Sequence, residues 1–130
     1  MSPVELIDLY PTLMDLTNIK TPQHVVGKSL KPIIKNVTSS VRQSALTRLR
    51  NGYSIKTKRY RLTKWGSNGE LGYELYDHKN DKKELINLFG NEDYSVVEDS
   101  LKLLIEQRII EASIKPEGLG RQFENAQSMH

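Results

Sequence analysis

The chain has 130 residues, enough for one domain, and a hydrophobic fraction of 37% predicts a core that is thin for that length. Nineteen basic against 16 acidic residues leave a net charge of +3, far from the charge density of a dedicated DNA-binding domain. Cysteine is absent, which excludes disulfides and thiolate metal sites. The opening MSPVELIDLYPTL has no basic leader ahead of an apolar run, and no stretch approaches the ~18 apolar residues of a spanning helix. These features predict a soluble chain with no export signal and no membrane partner. They leave its compartment open.

Leu6, Ile7, Leu9, Tyr10, Leu13, Met14 and Leu16 make the opening amphipathic, with Pro11 in its middle. Asp8 as N-cap would place Pro11 at the third helical position, where no intrahelical bond is lost, and predicts helix from 9 to about 18 with Val4–Ile7 extended. Ser2 as cap, with Pro3 first in the helix and a kink at Pro11, is the second choice. Residues 19–44 are punctuated by Pro22, Gly27 and Pro32 and read as loop, with one turn around Leu30–Ile34. Ser44–Leu49 reads as a short strand. In GYSIKTKRYRLTKW (52–65) apolar and polar residues alternate about a Lys58-Arg59 tip. Ile55 then faces Leu62, Tyr53 and Tyr60 share their side, and Ser54, Lys56, Arg61, Thr63 and Trp65 lie on the other. The tip lacks the Asn-Gly of a tight hairpin. Gly66-Ser67-Asn68-Gly69 is a turn, Tyr73–Asp77 a further strand, and Asn80–Gly90 a loop pinned to the core by Leu85, Ile86, Leu88 and Phe89. Asn91 caps the clearest helix, whose stripe of Tyr94, Val97, Leu101, Leu104, Ile105 and Ile109 runs toward Ala112. Ser113–His130 reads as a loose tail. The expected class is α+β: a small antiparallel sheet of about four strands packed against one long C-terminal helix.

The parts of a catalytic site are missing. His24, His78 and His130 are the only histidines, and no two stand at metal-ligand spacing. Asp77-His78 reads as a strand end, since neighbours on a strand point to opposite faces. The glycines of GSNGELG are spaced for a turn rather than a phosphate loop. Asn36-Val37-Thr38 is a sequon that, without an export signal, reads as chance. Lys56, Lys58, Arg59, Arg61 and Lys64 beside Trp65 are the residue types that bind RNA or an acidic polymer. The placement of Tyr53 and Tyr60 beside Ile55 and Leu62 instead predicts buried rings, with Lys58 and Arg59 as solvated tip charges. Nucleic acid is therefore not the expected partner.

Four stretches, taken in order, resemble the C-terminal portion of sulfatases, with the iduronate-sulfatase-like branch the nearest likeness. Asp8, Leu9, Pro11, Thr12, Leu13, Asp15 and Leu16 match the family's final large-domain helix. Gly27, Ser29, Leu30 and Pro32 match the segment after it. Tyr53, Ser54, Ile55, Thr57, Tyr60, Arg61, Thr63 and Trp65 match its hairpin, with Lys56 and Leu62 as departures. Glu74–Asp77, Asp81, Glu84, Asn87 and Leu88 match its Glu-Leu-Tyr-Asp…Asn-Leu signature, with Lys82 in place of proline.

The resemblance implies three parts: 1–44 as the end of a large domain, 45–112 as the C-terminal subdomain, and 113–130 as tail. Sulfatases hydrolyse sulfate esters with a formylglycine made within Cys-x-Pro-x-Arg or Ser-x-Pro-x-Arg, beside a calcium held by Asp and Asn. Neither pentapeptide occurs here, and the family's metal ligands and catalytic Lys and His belong to the large domain. The expectation is a C-terminal sulfatase fragment that is inactive alone, holds no cofactor or metal of its own, and partners a missing or separately encoded catalytic domain or self-associates. The parent family is usually exported or lysosomal. Where iduronate-type enzymes approach substrate with Gln-Tyr-Pro-Arg, this chain has Thr47-Arg48-Leu49-Arg50. The resemblance thus assigns substrate contact to Arg50, and to Trp65 at the end of the hairpin, and to no other residue.

Overall fold

The computed structural model describes residues 2–114. His130 and most of the expected tail lie outside the described residues. The protein is α+β: four antiparallel strands in the order β1 (Ser44–Leu49), β2 (Gly52–Thr57), β3 (Tyr60–Trp65) and β4 (Gly72–Asp77), with one long helix, α3 (Ser95–Ser113), across one face. Two short helices precede the sheet, α1 (Leu9–Leu16) and α2 (Lys31–Lys35). Among the described residues no helix is long and apolar enough to cross a membrane.

Alternation sets the sheet. Ile55 stands opposite both Leu46 and Leu62, and Leu62 opposite Leu75, so one apolar row crosses all four strands. Leu101 and Ile105 of α3 close over it, with Tyr53, Tyr60, Val97, Leu104 and Ile109 packed at its margin. The expected helix stripe is therefore the face that meets the sheet. Asn91 caps a 3-10 turn (Glu92–Tyr94) rather than α3 itself, its side chain accepting from the Asp93 amide at 3.0 Å. The hairpin tip is Lys58-Arg59 and neither residue takes a positive φ. Thr57 Oγ1 closes it instead, accepting from Tyr60 N at 2.9 Å and donating to Tyr60 O at 3.1 Å.

The Glu-Leu-Tyr-Asp…Asn-Leu signature seals the outer edge of the sheet. Asn87 Oδ1 accepts from Leu75 N at 2.9 Å, Asn87 Nδ2 donates to Tyr73 O at 3.1 Å, and Leu88 N donates to Leu75 O at 2.8 Å. A side-chain amide thus stands in for a neighbouring strand on groups that would otherwise be an open template. Leu88 and Phe89 reach the core, whereas Leu85 and Ile86 are exposed and do not pin the loop as expected.

Three further expectations are corrected. Asp8 marks the start of α1 but its carboxylate does not cap that helix. The residues before it form a 3-10 turn (Leu6–Asp8), so the extended entry stops at Glu5. Arg59 is no solvated tip charge: Nε and Nη2 fork onto the buried Asp77 carboxylate at 2.7 and 2.6 Å. Lys64 is buried on the helix side of the sheet, its ammonium 2.5 Å from Glu106 of α3.

Asp8 serves a different purpose. It is fully buried, and the Arg42 guanidinium forks onto it through Nε and Nη2 while Nη1 reaches Glu5 Oε2 at 2.5 Å. Glu5 Oε1 in turn accepts from Leu46 N of β1 at 2.7 Å and from Arg108 Nη2 of α3 at 2.9 Å. Burial pushes the Asp8 carboxyl up, but the amides of Lys28 and Glu5 and the Arg42 guanidinium outweigh it and hold the group below its ordinary value. The first helix is thereby tied to strand and C-terminal helix through a connected set of buried and half-buried ions.

Arg42→Ala strands a buried carboxylate and is expected to cost roughly 3–5 kcal/mol. Chemical denaturation measures the loss, and residues 2–40 should become the first site of proteolysis. Arg59→Ser should cost about 1–3 kcal/mol by removing a forked bond to a buried acid, while Lys58→Ser stays within ~0.5 kcal/mol; equal melting temperatures for the two variants would contradict the assignment. Acid provides a third check. The side-chain bonds from Arg59, acting against burial, hold the Asp77 carboxyl at about 2. An unfolded Asp titrates near ~3.9, so the native state gains stability above that value and loses it as pH falls toward 2. Melting curves of Asp77→Asn should show a shallower acid slope than wild type.

Candidate functional site at the open end of the sheet

The β1–β2 turn and the end of β3 meet at one end of the sheet. Gly52 stands opposite Trp65, and Gly66 N donates to Asn51 O at 2.6 Å, which fastens the turn to the strand end. A Cβ on Gly52 would lie 2.3 Å from Lys64 O, so the two strands can approach this closely only at a glycine. Arg50 occupies the turn and is exposed, while Trp65 is half-buried as the last residue of β3.

Both residues assigned by resemblance therefore lie at the same end, but they do not share a cavity. A recess of about 280 Å³ is lined by Arg48, Arg50, Asn51, Tyr53, Gly66 and Glu70, and Trp65 is not part of it. Arg48 had no role in the sequence reading, yet it points its guanidinium over the Tyr53 ring, 5.9 Å from the centroid. Two guanidinium groups at a recess of this size suit a carboxylate or sulfate. Glu70 also belongs to the recess, and its carboxylate accepts from the Asn68 and Ser67 amides at 2.8 and 3.2 Å.

The first two motif segments form a clamp rather than a site. Asp8 Oδ1 accepts from Lys28 N at 2.9 Å, Thr12 Oγ1 from Leu30 N at 2.8 Å, and Asp15 Oδ2 from Ser29 Oγ at 2.7 Å. Asp8 just before α1 and Thr12 and Asp15 within it, about a turn apart, hold residues 28–30 along the helix through two backbone amides and the Ser29 hydroxyl. Gly27 is required there, because a Cβ would sit 2.0 Å from Ile7 O. Lys31 adds an ion pair to Asp15 at 2.8 Å.

Among the described residues no group of three or more His, Cys, Asp or Glu is placed to hold a metal ion. His78 Nε2 contacts Glu84, whose carboxylate also takes Arg61, so that histidine sits beside an ion pair just past the end of β4. A second concavity, of about 770 Å³, runs between Val4–Ile7, β1 and the last turn of α3. Leu6, which lines it, is 86% exposed, and Leu13 of α1 is 63% exposed.

Comparison with known proteins agrees with this architecture. The profile of N-sulphoglucosamine sulphohydrolase, C-terminal, matches residues 2–111. The chain is similar to an arylsulfatase of Clostridium perfringens, 36% identical over 110 residues, covering 80% of this chain and 22% of the relative. It is 26% identical over 113 residues to an N-acetylglucosamine-6-O-sulfatase of Bacteroides thetaiotaomicron, covering 78% and 20%. Among solved structures it superposes on BT4656 in complex with its substrate D-glucosamine-2-N,6-O-disulfate, at a TM-score of 0.67 and 25% identity, covering 86% of this chain and 25% of that one. It also superposes on BT1596, a 2-O GAG sulfatase, at 0.68 and 28%, covering 81% and 24%. The chain spans about a fifth of the length of these curated relatives. It belongs to the N-sulphoglucosamine sulphohydrolase C-terminal family, the C-terminal domain of sulfatases.

Proposed function

We propose that the chain is the supporting subdomain of a sulfatase, docking on a catalytic portion that carries the formylglycine and calcium, and that it hydrolyses nothing alone. The observation that carries this reading is the uncovered apolar face of residues 6–16. Leu6, Leu9, Leu13 and Leu16 stand out from a helix whose polar side is fully engaged in holding residues 28–30. A contiguous apolar face of this kind marks an interaction surface. The relatives' names support a sulfated saccharide as the parent's substrate, and the iduronate-type likeness of the hairpin falls within the same glycosaminoglycan class. In the assembled enzyme Arg50, joined by Arg48, would meet an anionic group of that saccharide from the side, with Trp65 forming the neighbouring wall.

A stand-alone polymer-binding module is the weaker reading. Of the hairpin's cations, Arg59, Arg61 and Lys64 are already paired with Asp77, Glu84 and Glu106. Tyr60 and Tyr53 pack on the core instead of presenting free faces for stacking.

The purified chain, with or without added calcium, should not release sulfate from an aryl sulfate or from glucosamine 6-sulfate; calcium-dependent turnover that survives repurification would refute the reading. The isolated chain should also self-associate through α1. Removal of residues 1–18 would take Glu5 and Asp8 from Arg42, so the informative variant is Leu6→Glu with Leu13→Glu, both at exposed positions. It is expected to sediment as a monomer with an unchanged melting temperature.

A further inference from the structure

The two edges of the sheet are treated differently. On β4 the outward groups are taken by Asn87 and Leu88. On β1, the other edge strand, Leu46 N points outward and is taken by the Glu5 carboxylate. Along an antiparallel edge strand, alternate residues present both N–H and C=O to the same side. Leu46 O, Arg48 N and Arg48 O therefore share that edge, and no backbone hydrogen bond from outside the sheet reaches them among the described residues. Thr47 and Arg48 are exposed.

We propose that this edge receives an extended segment of the sulfatase's catalytic portion, which adds to the sheet as a fifth strand beside β1. The inference rests on the docking reading above and locates it. The concavity of about 770 Å³ lies along Ala45–Thr47, lined by Leu6, Ile7, Ala112 and Ile114 together with the charged Glu5 and Arg108. An extended chain satisfies both features at once: its backbone pairs with Leu46 O and Arg48, and alternate side chains enter the groove. A helix has no spare N–H or C=O along its flank and would leave the edge groups unpaired. The occupant is argued from length and exposure. The chain accounts for only 20–22% of two curated relatives, and the groove is lined by the exposed Leu6 and Ile7 of the entering chain. The catalytic portion is chosen over a second copy because about four-fifths of each relative lies outside the part this chain matches.

The test uses the full 130-residue chain co-expressed with the Clostridium perfringens arylsulfatase shortened by the segment that this chain matches. A complex is expected on gel filtration, with amide exchange at Arg48 slowed at least a hundredfold relative to the isolated chain. Arg48→Pro removes the outward N–H without touching the bonds to β2, and Pro is tolerated on an edge strand. It should weaken the complex at least tenfold, while Arg48→Ala, which keeps the N–H, should change the Kd less than threefold. If Arg48→Pro proves unstable, exchange at Arg48 in the unmutated complex decides by itself. A complex that forms with Arg48 still freely exchanging overturns the edge and leaves the docking reading standing. Absence of any complex overturns both. Protection of Arg48 that grows with the chain's own concentration, without the catalytic portion, overturns the choice of occupant in favour of a second copy.

Discussion

The ion cluster around Arg42 holds the rest of the molecule in place. Its fork takes Asp8 from the turn before α1 and Glu5 from the entering chain, and Glu5 passes the connection on to β1 and α3. Charges this buried are expensive to desolvate, and they are stable only because every carboxylate oxygen has a donor. The gain is in placement more than in net stability. An apolar contact between α1 and the sheet would permit sliding, whereas a forked guanidinium on two carboxylates fixes both distance and angle. With that angle set, the polar side of α1 can grip residues 28–30 and its leucines must face outward.

Every motif that marks the chain as a sulfatase C-terminal domain therefore has a mechanical reason. Asp8, Thr12 and Asp15 bind a backbone segment, Gly27 allows it to approach, Asp77 anchors the hairpin tip through Arg59, and Asn87 closes an edge. None of these side chains is free for chemistry. On the proposed reading, the subdomain would contribute to a reaction through the positions it gives to Arg48 and Arg50 at the sheet's open end.

What could be read in the sequence was what repeats. The period of two set β1 at Ser44–Leu49 and the Ile55–Leu62 register, and the helical stripe from Tyr94 to Ile109 became the core face of α3. Ion pairs carry no such signal. Arg42 and Asp8 are 34 residues apart, Lys64 and Glu106 are 42 apart, and composition shows only that both signs are present. The same blindness made Arg59 look like Lys58: both are tip cations, and only the return of β4 brings Asp77 beside one of them. The Asp8 cap failed for a related reason. Its carboxylate had a better donor in Arg42 than in the amides of α1, and the turn at Leu6–Asp8 turns it away from the helix. At the site, Arg50 was named through resemblance alone, and Arg48 was passed over because its place beside Tyr53 depends on the β1–β2 register.

The asymmetry of the edges joins fold to function. A four-stranded sheet covered on one face is small, and either open edge would invite pairing with any passing strand. The fold uses Asn87 and Leu88 to close the edge far from α1, and only one carboxylate, Glu5, on the edge beside it. Glu5 satisfies a single amide of that edge and leaves Leu6, Ile7, Ala112 and Ile114 lining the groove beside it. That arrangement is costly in a free subdomain and reasonable in one whose neighbour arrives at that side. The exposed Leu6, the groove and the strand β1 lie together beside the entering chain, so one partner surface could cover all three.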